Sequence, residues 1–314
     1  MSTIEVKGLV KRYKELIALD DFSLSVEAGE VFGLLGPNGS GKTTAINCIL
    51  QLLTYDRGEI RLFGETMSPT RYDLKRRIGI VPQNVAVFPQ LSVEENIGYF
   101  CSLYVDSAVE RRGLVDQAID FVGLEEFRRF RPRKLSGGLL RRLNIACGIA
   151  HRPELIFFDE PTVAVDPQSR NAILEGIQRL SASGSTIVYT SHYMEEVQQL
   201  CSRIMIMDHG RAHATGTTAE LTSLVGLDDR VEIELPADPE FADKGLEIAR
   251  VLPHITQASL NGNTLRVSCA RASRALAEVL AALDDAQITY GKVYSEPPTL
   301  NDVFLEITGK ELRD

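Results

Sequence analysis

At 314 residues, 44% hydrophobic and 25% charged, the chain has the composition of an ordinary globular protein long enough for two domains. Its net charge is −9, and beyond residue 225 nine basic residues face sixteen acidic ones, so an acidic tail domain argues against general nucleic-acid binding. Five scattered cysteines without a C-x-x-C pair (Cys48, Cys101, Cys147, Cys201, Cys269) argue against a disulfide framework or a zinc site and for a reducing cytosol. The charged opening MSTIEVKGLVKRYKE predicts no signal peptide, and no apolar run approaches the ~20 residues that span a bilayer.

From residue 1 to about 225, short β-like runs alternate with helical stretches, which predicts an α/β domain. EVFGLLG (30–36), IGIVPQ (78–83), LIFFDE (155–160), STIVYTSH (185–192) and RIMIMDHG (203–210) read as strands, three of them continuously apolar as buried parallel strands are. The first leads into GPNGSGKTT. There Gly36, Gly41, Lys42 and Thr43 fit G-x-x-x-x-G-K-[ST], a loop whose backbone N–H groups turn inward on an anion and whose following helix adds its positive dipole end. Lys42 is placed to reach β- and γ-phosphates and the Thr43 hydroxyl to bind Mg²⁺. Between about 84 and 140 the strand signal stops. LSVEENIGYFCSLY opens on a Ser92/Glu95 capping box, AVERRGLVDQAIDFVG is a second helical stretch, and the pair reads as a helical insert. In RKLSGGLLRRLNIACGIA, Ser136, Gly137 and Gly138 open another helix and make a second anion-binding turn, where a plain N-cap is the alternative. Asp159 and Glu160 end an apolar strand at the sheet's ligand edge, Asp159 placed to assist Mg²⁺ and Glu160 to orient an attacking water.

From about Val231 the pattern changes to a small α+β domain. RVEIELP is a strand, and ITQASLNGNTLRVSCA a hairpin turned at Asn261-Gly262 or Gly262-Asn263. RASRALAEVLAALDDA is an amphipathic helix, ITYGKVYSE a further strand, and PPTLNDVFLEITGK a final helix starting near Pro298. The alanines of ALAEVLAAL either pack on their own sheet or hold two subunits together.

With these motifs in this order, the chain resembles the nucleotide-binding subunit of an ABC transporter over residues 1 to about 225. The resemblance implies a P-loop NTPase cassette in 1–225 with its helical insert at about 84–140, and an accessory domain in 226–314. It implies ATP and Mg²⁺ as cofactors. The loop Gly36, Pro37, Asn38, Gly39, Ser40, Gly41, Lys42, Thr43 and Thr44 resembles the Walker A motif, and Asp159-Glu160 the Walker B pair. Gln83 in VPQN resembles the Q-loop glutamine, at the metal and the γ-phosphate; Ser136, Gly137 and Gly138 resemble the signature; Asp166 in VAVDP resembles the D-loop acid. His192 resembles the switch histidine, and Tyr13 the aromatic that stacks on adenine; a lone histidine or tyrosine is otherwise packing. Leu139 stands where the family usually has glutamine, so a polar contact is lost there while Ser136 and backbone contacts remain. The tail resembles exporter ATPases that work with ABC-2-type permeases of the drug and antibiotic resistance group.

The resemblance further implies a homodimer, or a heterodimer with a similar subunit, because one chain holds only half of each composite site. It implies an integral-membrane permease as partner, no nucleic acid, and a cytoplasmic protein peripheral on the inner face of the cell membrane. A soluble ATPase acting on nucleic acid or ribosomes, or an importer ATPase, are the alternatives. The basic stretch RRFRPRK (128–134) is a solvated face or a contact with permease loops or lipid phosphates.

Overall fold

The computed structural model describes residues 2–224, 229–269, 275–296 and 298–309. These fall into two units that divide between Thr217 and Thr218. The first unit opens with β1 (Ser2–Tyr13), β2 (Leu16–Glu27), β3 (Val31–Leu35), α1 (Lys42–Ile49), β4 (Arg57–Leu62) and β5 (Glu65–Thr66). It continues through α2 (Tyr72–Lys75), β6 (Ile78–Val81), α3 (Val93–Ser102), α4 (Ala108–Val122) and α5 (Gly137–Ile149). The remainder is β7 (Leu155–Asp159), α6 (Pro167–Ala182), β8 (Thr186–Ser191), α7 (Met194–Leu200), β9 (Arg203–Asp208) and β10 (Arg211–Gly216).

Two sheets share this unit. One has the order β10-β9-β3-β8-β7-β6, parallel except for the β10 edge; the other is antiparallel, β2-β1-β4-β5. β3, β7 and β8 are buried along their whole length, as continuously apolar runs require. Helix α1 fills the space between the sheets, where Ala45, Ile46 and Ile49 meet Val6 and Phe22 from one side and Phe32 and Phe157 from the other. The antiparallel sheet is absent from the sequence reading, because register shifts in β1 break the period-two alternation that signals a half-buried strand.

The insert is α3 and α4, joined to α5 by a separate apolar cluster that includes Ile97, Val115, Ile119 and Leu143. The Ser92/Glu95 capping box is formed in both directions. Ser107 caps α4, and Gly123, left-handed at φ +66°, ends it.

The second unit runs α8 (Thr218–Leu224), β11 (Asp229–Glu234), α9 (Pro239–Arg250), β12 (Ile255–Asn261), β13 (Thr264–Cys269), α10 (Ala275–Asp285), β14 (Val293–Glu296) and α11 (Leu300–Thr308). Its antiparallel sheet has the order β12-β13-β11-β14. The hairpin turns at Gly262-Asn263, with Asn261 paired to Thr264 and Gly262 at φ +62°. α8 packs on α11, which places the division before residue 225. The last strand is shorter than ITYGKVYSE and the last helix begins at Leu300 behind its Thr299 cap. Residues 271–274 of the predicted amphipathic helix lie outside the described residues; within α10, Ala275, Val279 and Leu283 pack on the unit's own sheet.

Candidate nucleotide site

The loop between β3 and α1 is shaped by positive backbone angles at Gly39 (φ +84°) and Gly41 (φ +108°). A Cβ at Gly41 would stand 2.7 Å from the Ala18 carbonyl, so glycine is required by conformation and by space together. Beyond that turn the N–H groups of Gly39, Gly41, Lys42 and Thr43 donate to no carbonyl or side chain among the described residues. They form the open N-terminus of an eight-residue helix, the arrangement that binds phosphate. The Ser40 hydroxyl is buried there without a partner.

Lys42 is nearly fully buried, its Nζ donating to the carbonyls of Gly36 (2.8 Å) and Pro37 (3.2 Å) and standing 3.1 Å from Glu160 Oε1. The other oxygen, Glu160 Oε2, accepts from Gln83 Nε2 at 3.1 Å and lies 3.4 Å from His192 Nδ1. Three side chains from three separate segments, the start of α1 and two loops, thus converge on one carboxylate. Glu160 itself has a left-handed backbone, φ +47°, which is strained for a residue with a side chain. Its N–H is held by the Thr190 hydroxyl at 3.0 Å, and that hydroxyl donates to Asp159 Oδ1 at 2.7 Å. Asp159 Oδ2 in turn accepts from Thr43 Oγ1 at 2.8 Å.

Thr43 and Asp159 therefore stand together, a hydroxyl and a carboxylate of the hard-oxygen type suited to Mg²⁺, which takes few protein ligands and completes its shell with water and phosphate. Gln83, the third residue expected at the metal, touches Glu160 instead. Among the described residues no group of three His, Cys, Asp or Glu forms a metal cluster of another kind.

Ser136 caps α5, accepting the Leu139 N–H at 3.3 Å, and is exposed. Gly138 is buried against the start of α6, where a Cβ would stand 2.2 Å from Ser169 Oγ. Asp166 caps α6 by accepting the Ser169 N–H at 2.9 Å, which holds its carboxyl below the usual range. The Ser136–Gly138 turn thus neighbours the Asp166 segment and makes no hydrogen bond to the Gly36–Thr44 loop. Tyr13 is exposed at the end of β1, with Lys11 Nζ 4.9 Å from its ring centre.

Arg141 was not singled out from sequence. Its guanidinium is buried and donates to the carbonyls of Pro82, Gln83, Glu160 and Pro161 at 2.6 to 3.0 Å. Burial pulls its pKa down, and Asp159 opposes that. Three residues on, Asn144 accepts the Ala86 N–H and donates to the Pro82 carbonyl. One helix face thereby ties the Gln83 loop to the backbone of Glu160. A charged residue at an otherwise buried position of α5 is the signal that periodicity offered.

Residues 19–163 match the ABC transporter family, and residues 216–308 match the C-terminal domain of DrrA1-3-like ATP-binding proteins. The linearmycin resistance ATP-binding protein LnrL of Bacillus subtilis is 36% identical over 99% of this chain and all of its own length. The daunorubicin resistance ATP-binding protein DrrA3 of Streptomyces coeruleorubidus is 35% identical, covering 99% and 98%. The Nod factor export ATP-binding protein I of Ralstonia nicotianae is 36% identical, covering 99% and 95%. Among solved structures, an ATP-binding subunit of an ABC transporter superposes with a TM-score of 0.66 at 27% identity, covering 71% of this chain and 93% of its own. A dimeric ATP-binding cassette in a post-hydrolysis state with ADP and Pi superposes at 0.63 and 28% identity, covering 68% and 98%. Phosphate loop, paired acids and relatives agree: the chain belongs to the ATP-binding subunits of ABC transporters.

Proposed function

We propose that the chain is the ATP-hydrolysing subunit of an exporter that drives cargo through a separate membrane permease. The observation that carries this reading is the convergence of Lys42, Gln83 and His192 on Glu160, beside the Thr43–Asp159 pair. ATP is bound by the loop N–H groups and Lys42, with Tyr13 against the base. Thr43 and Asp159 would hold Mg²⁺, which would supply neutralisation of the phosphate charge. Glu160 orients and deprotonates the attacking water, while His192 and Gln83 hold the γ-phosphate side.

The site is completed by a second subunit. Ser136 is exposed and makes no hydrogen bond to its own phosphate loop, so Ser136, Gly137, Gly138 and Asp166 close over the nucleotide held by a partner. Loss of the γ-phosphate separates the two, and the change reaches the permease through the Gln83 loop. That loop carries the exposed Val85 and Phe88, and Phe88 meets Tyr99 edge-to-face and stacks with Phe100 of α3. This apolar face of the insert is where the permease docks, which places the protein on the inner face of the cell membrane. No helix among the described residues is long and apolar enough to cross a membrane. Export rather than import is supported by the tail match and by relatives named for resistance and export.

Mixed dimers test the composite site. Lys42→Ala and Ser136→Arg each inactivate hydrolysis alone, but mixing them creates dimers with one intact site, so activity returns. Mixtures as inactive as their components would sink the two-subunit arrangement.

A further inference from the structure

Glu196, on α7, is a carboxylate almost without solvent contact, 3% exposed, that takes no part in the site described above. Its Oε2 accepts from Tyr189 OH (2.7 Å), Thr162 Oγ1 (2.8 Å) and Ser191 Oγ (3.1 Å). Its Oε1 lies 3.3 Å from Arg170 Nε. Burying a carboxylate is costly unless several donors satisfy it, and an apolar side chain would fill the same space more cheaply. The identity of the donors shows what this expense maintains. Ser191 immediately precedes His192, and its hydroxyl also accepts the Tyr193 N–H at 2.9 Å. Tyr193 follows His192, and the Arg170 guanidinium lies 4.7 Å from its ring centre. Thr162 stands two residues beyond Glu160. Both neighbours of the histidine and the segment behind Glu160 are thus tied to one buried carboxylate. Burial and Glu196 together raise the Tyr189 pKa, so that phenol stays a donor.

We propose that Glu196 is the positioning residue for His192, fixing it against Glu160 through Ser191 and Tyr193, with Arg170 on α6 as the outer half of the same device. This rests on the reading of His192 as a γ-phosphate contact. Arg170 is the hub member that reaches solvent, on the helix that Asp166 caps, so it links the partner-facing Asp166 segment to the histidine.

The test uses the full chain with Arg170→Met, Glu196→Gln and His192→Ala. The ring NMR signal of His192 in nucleotide-free protein, assigned by its loss in His192→Ala, should move in both hub variants, while that of His254 in the other unit stays in place. At saturating ATP, kcat should fall roughly 10-fold or more, as expected for a misplaced catalytic contact, with the Kd for a non-hydrolysable ATP analogue within about twofold of wild type. Arg170→Met removes a side chain one-third exposed and keeps apolar contact with Tyr193, so it carries the test if Glu196→Gln does not fold. An unmoved His192 signal, a kcat within twofold of wild type, or a Kd that rises in step with the loss of rate overturns the inference. His192→Ala hydrolysing normally would instead overturn the role given to His192 itself.

Discussion

The two units spend their polar residues differently. In the first, Ser40, Lys42, Arg141, Asn144, Asp159, Glu160, Thr162, Thr190, Ser191 and Glu196 are buried around the loops at one end of the parallel sheet, and Thr3, Asn96, Thr186 and Asp208 are buried as well. In the second, Thr222 and Asp302 are the buried polar residues among those described, and the core is Val231, Ile233, Leu265, Val267, Val279 and their neighbours. Apart from the buried Asp302, paired with Arg230 and capping α11, charges there pair on the surface, as Arg266 with Glu232. A fold that only has to hold together buries apolar area; buried charge marks the places where stability is spent on chemistry.

Charge-removing substitutions should therefore be severe in one unit and mild in the other. The largest effect is expected from Lys42→Ala, which removes the loop's only positive side chain and should abolish ATP binding by equilibrium dialysis. Binding at wild-type affinity would show that the nucleotide lies elsewhere. Glu160→Gln should lower hydrolysis by two or more orders of magnitude, the contribution of a positioned general base, and accumulate a nucleotide-bound dimer on size exclusion. A variant that remains monomeric with ATP counts against the two-subunit arrangement. Arg141→Met takes the donor from the buried Glu160 and Pro161 carbonyls and from the part-buried Gln83 carbonyl, at about 3 kcal/mol, and should lower Tm by roughly 6–12 °C by calorimetry. A Tm within a degree or two of wild type would mean that the Arg141 hydrogen bonds are dispensable.

Protonation gives a gentler probe. His151 is half-buried, donates to the Ile78 carbonyl at 3.1 Å and stacks on Tyr104, and loss of solvent around the ring depresses its pKa from 6.5. The unfolded chain takes up that proton first, so stability is full above about 6.5 and falls as the pH drops below it. His151→Phe should flatten that part of a Tm–pH curve, and an unchanged slope would assign the loss to other groups. At the mild end, Glu232→Gln should cost less than about 0.5 kcal/mol and leave hydrolysis untouched, since an exposed pair contributes little. If it disables the enzyme, the contrast between the units fails.

What the sequence made legible follows the range of the interactions. The phosphate loop, the acid pair at 159–160, the Ser92 box and the buried strands are local patterns, and the structure has strands or helices where those patterns predict them. α9 was missed although Asp238 and Pro239 spell a helix start, cap and first position together. Arg141 and Glu196 were missed for a different reason: their partners lie up to sixty residues away, and several are carbonyls that carry no sequence signal at all. Sequence shows which groups can do chemistry more readily than which groups hold them still.

The Lys42–Glu160 contact has a consequence for how affinities of this protein are to be understood. Without nucleotide, the carboxylate occupies the cation that a phosphate needs, and so behaves as an internal competitor. The apparent Kd is then the intrinsic one divided by the fraction of molecules in which Lys42 is released. ADP, which cannot be hydrolysed here, isolates this term: Glu160→Gln should bind it more tightly than wild type does, although the substitution adds no contact to the ligand. Equal ADP affinities would show that the lysine is freed at no cost.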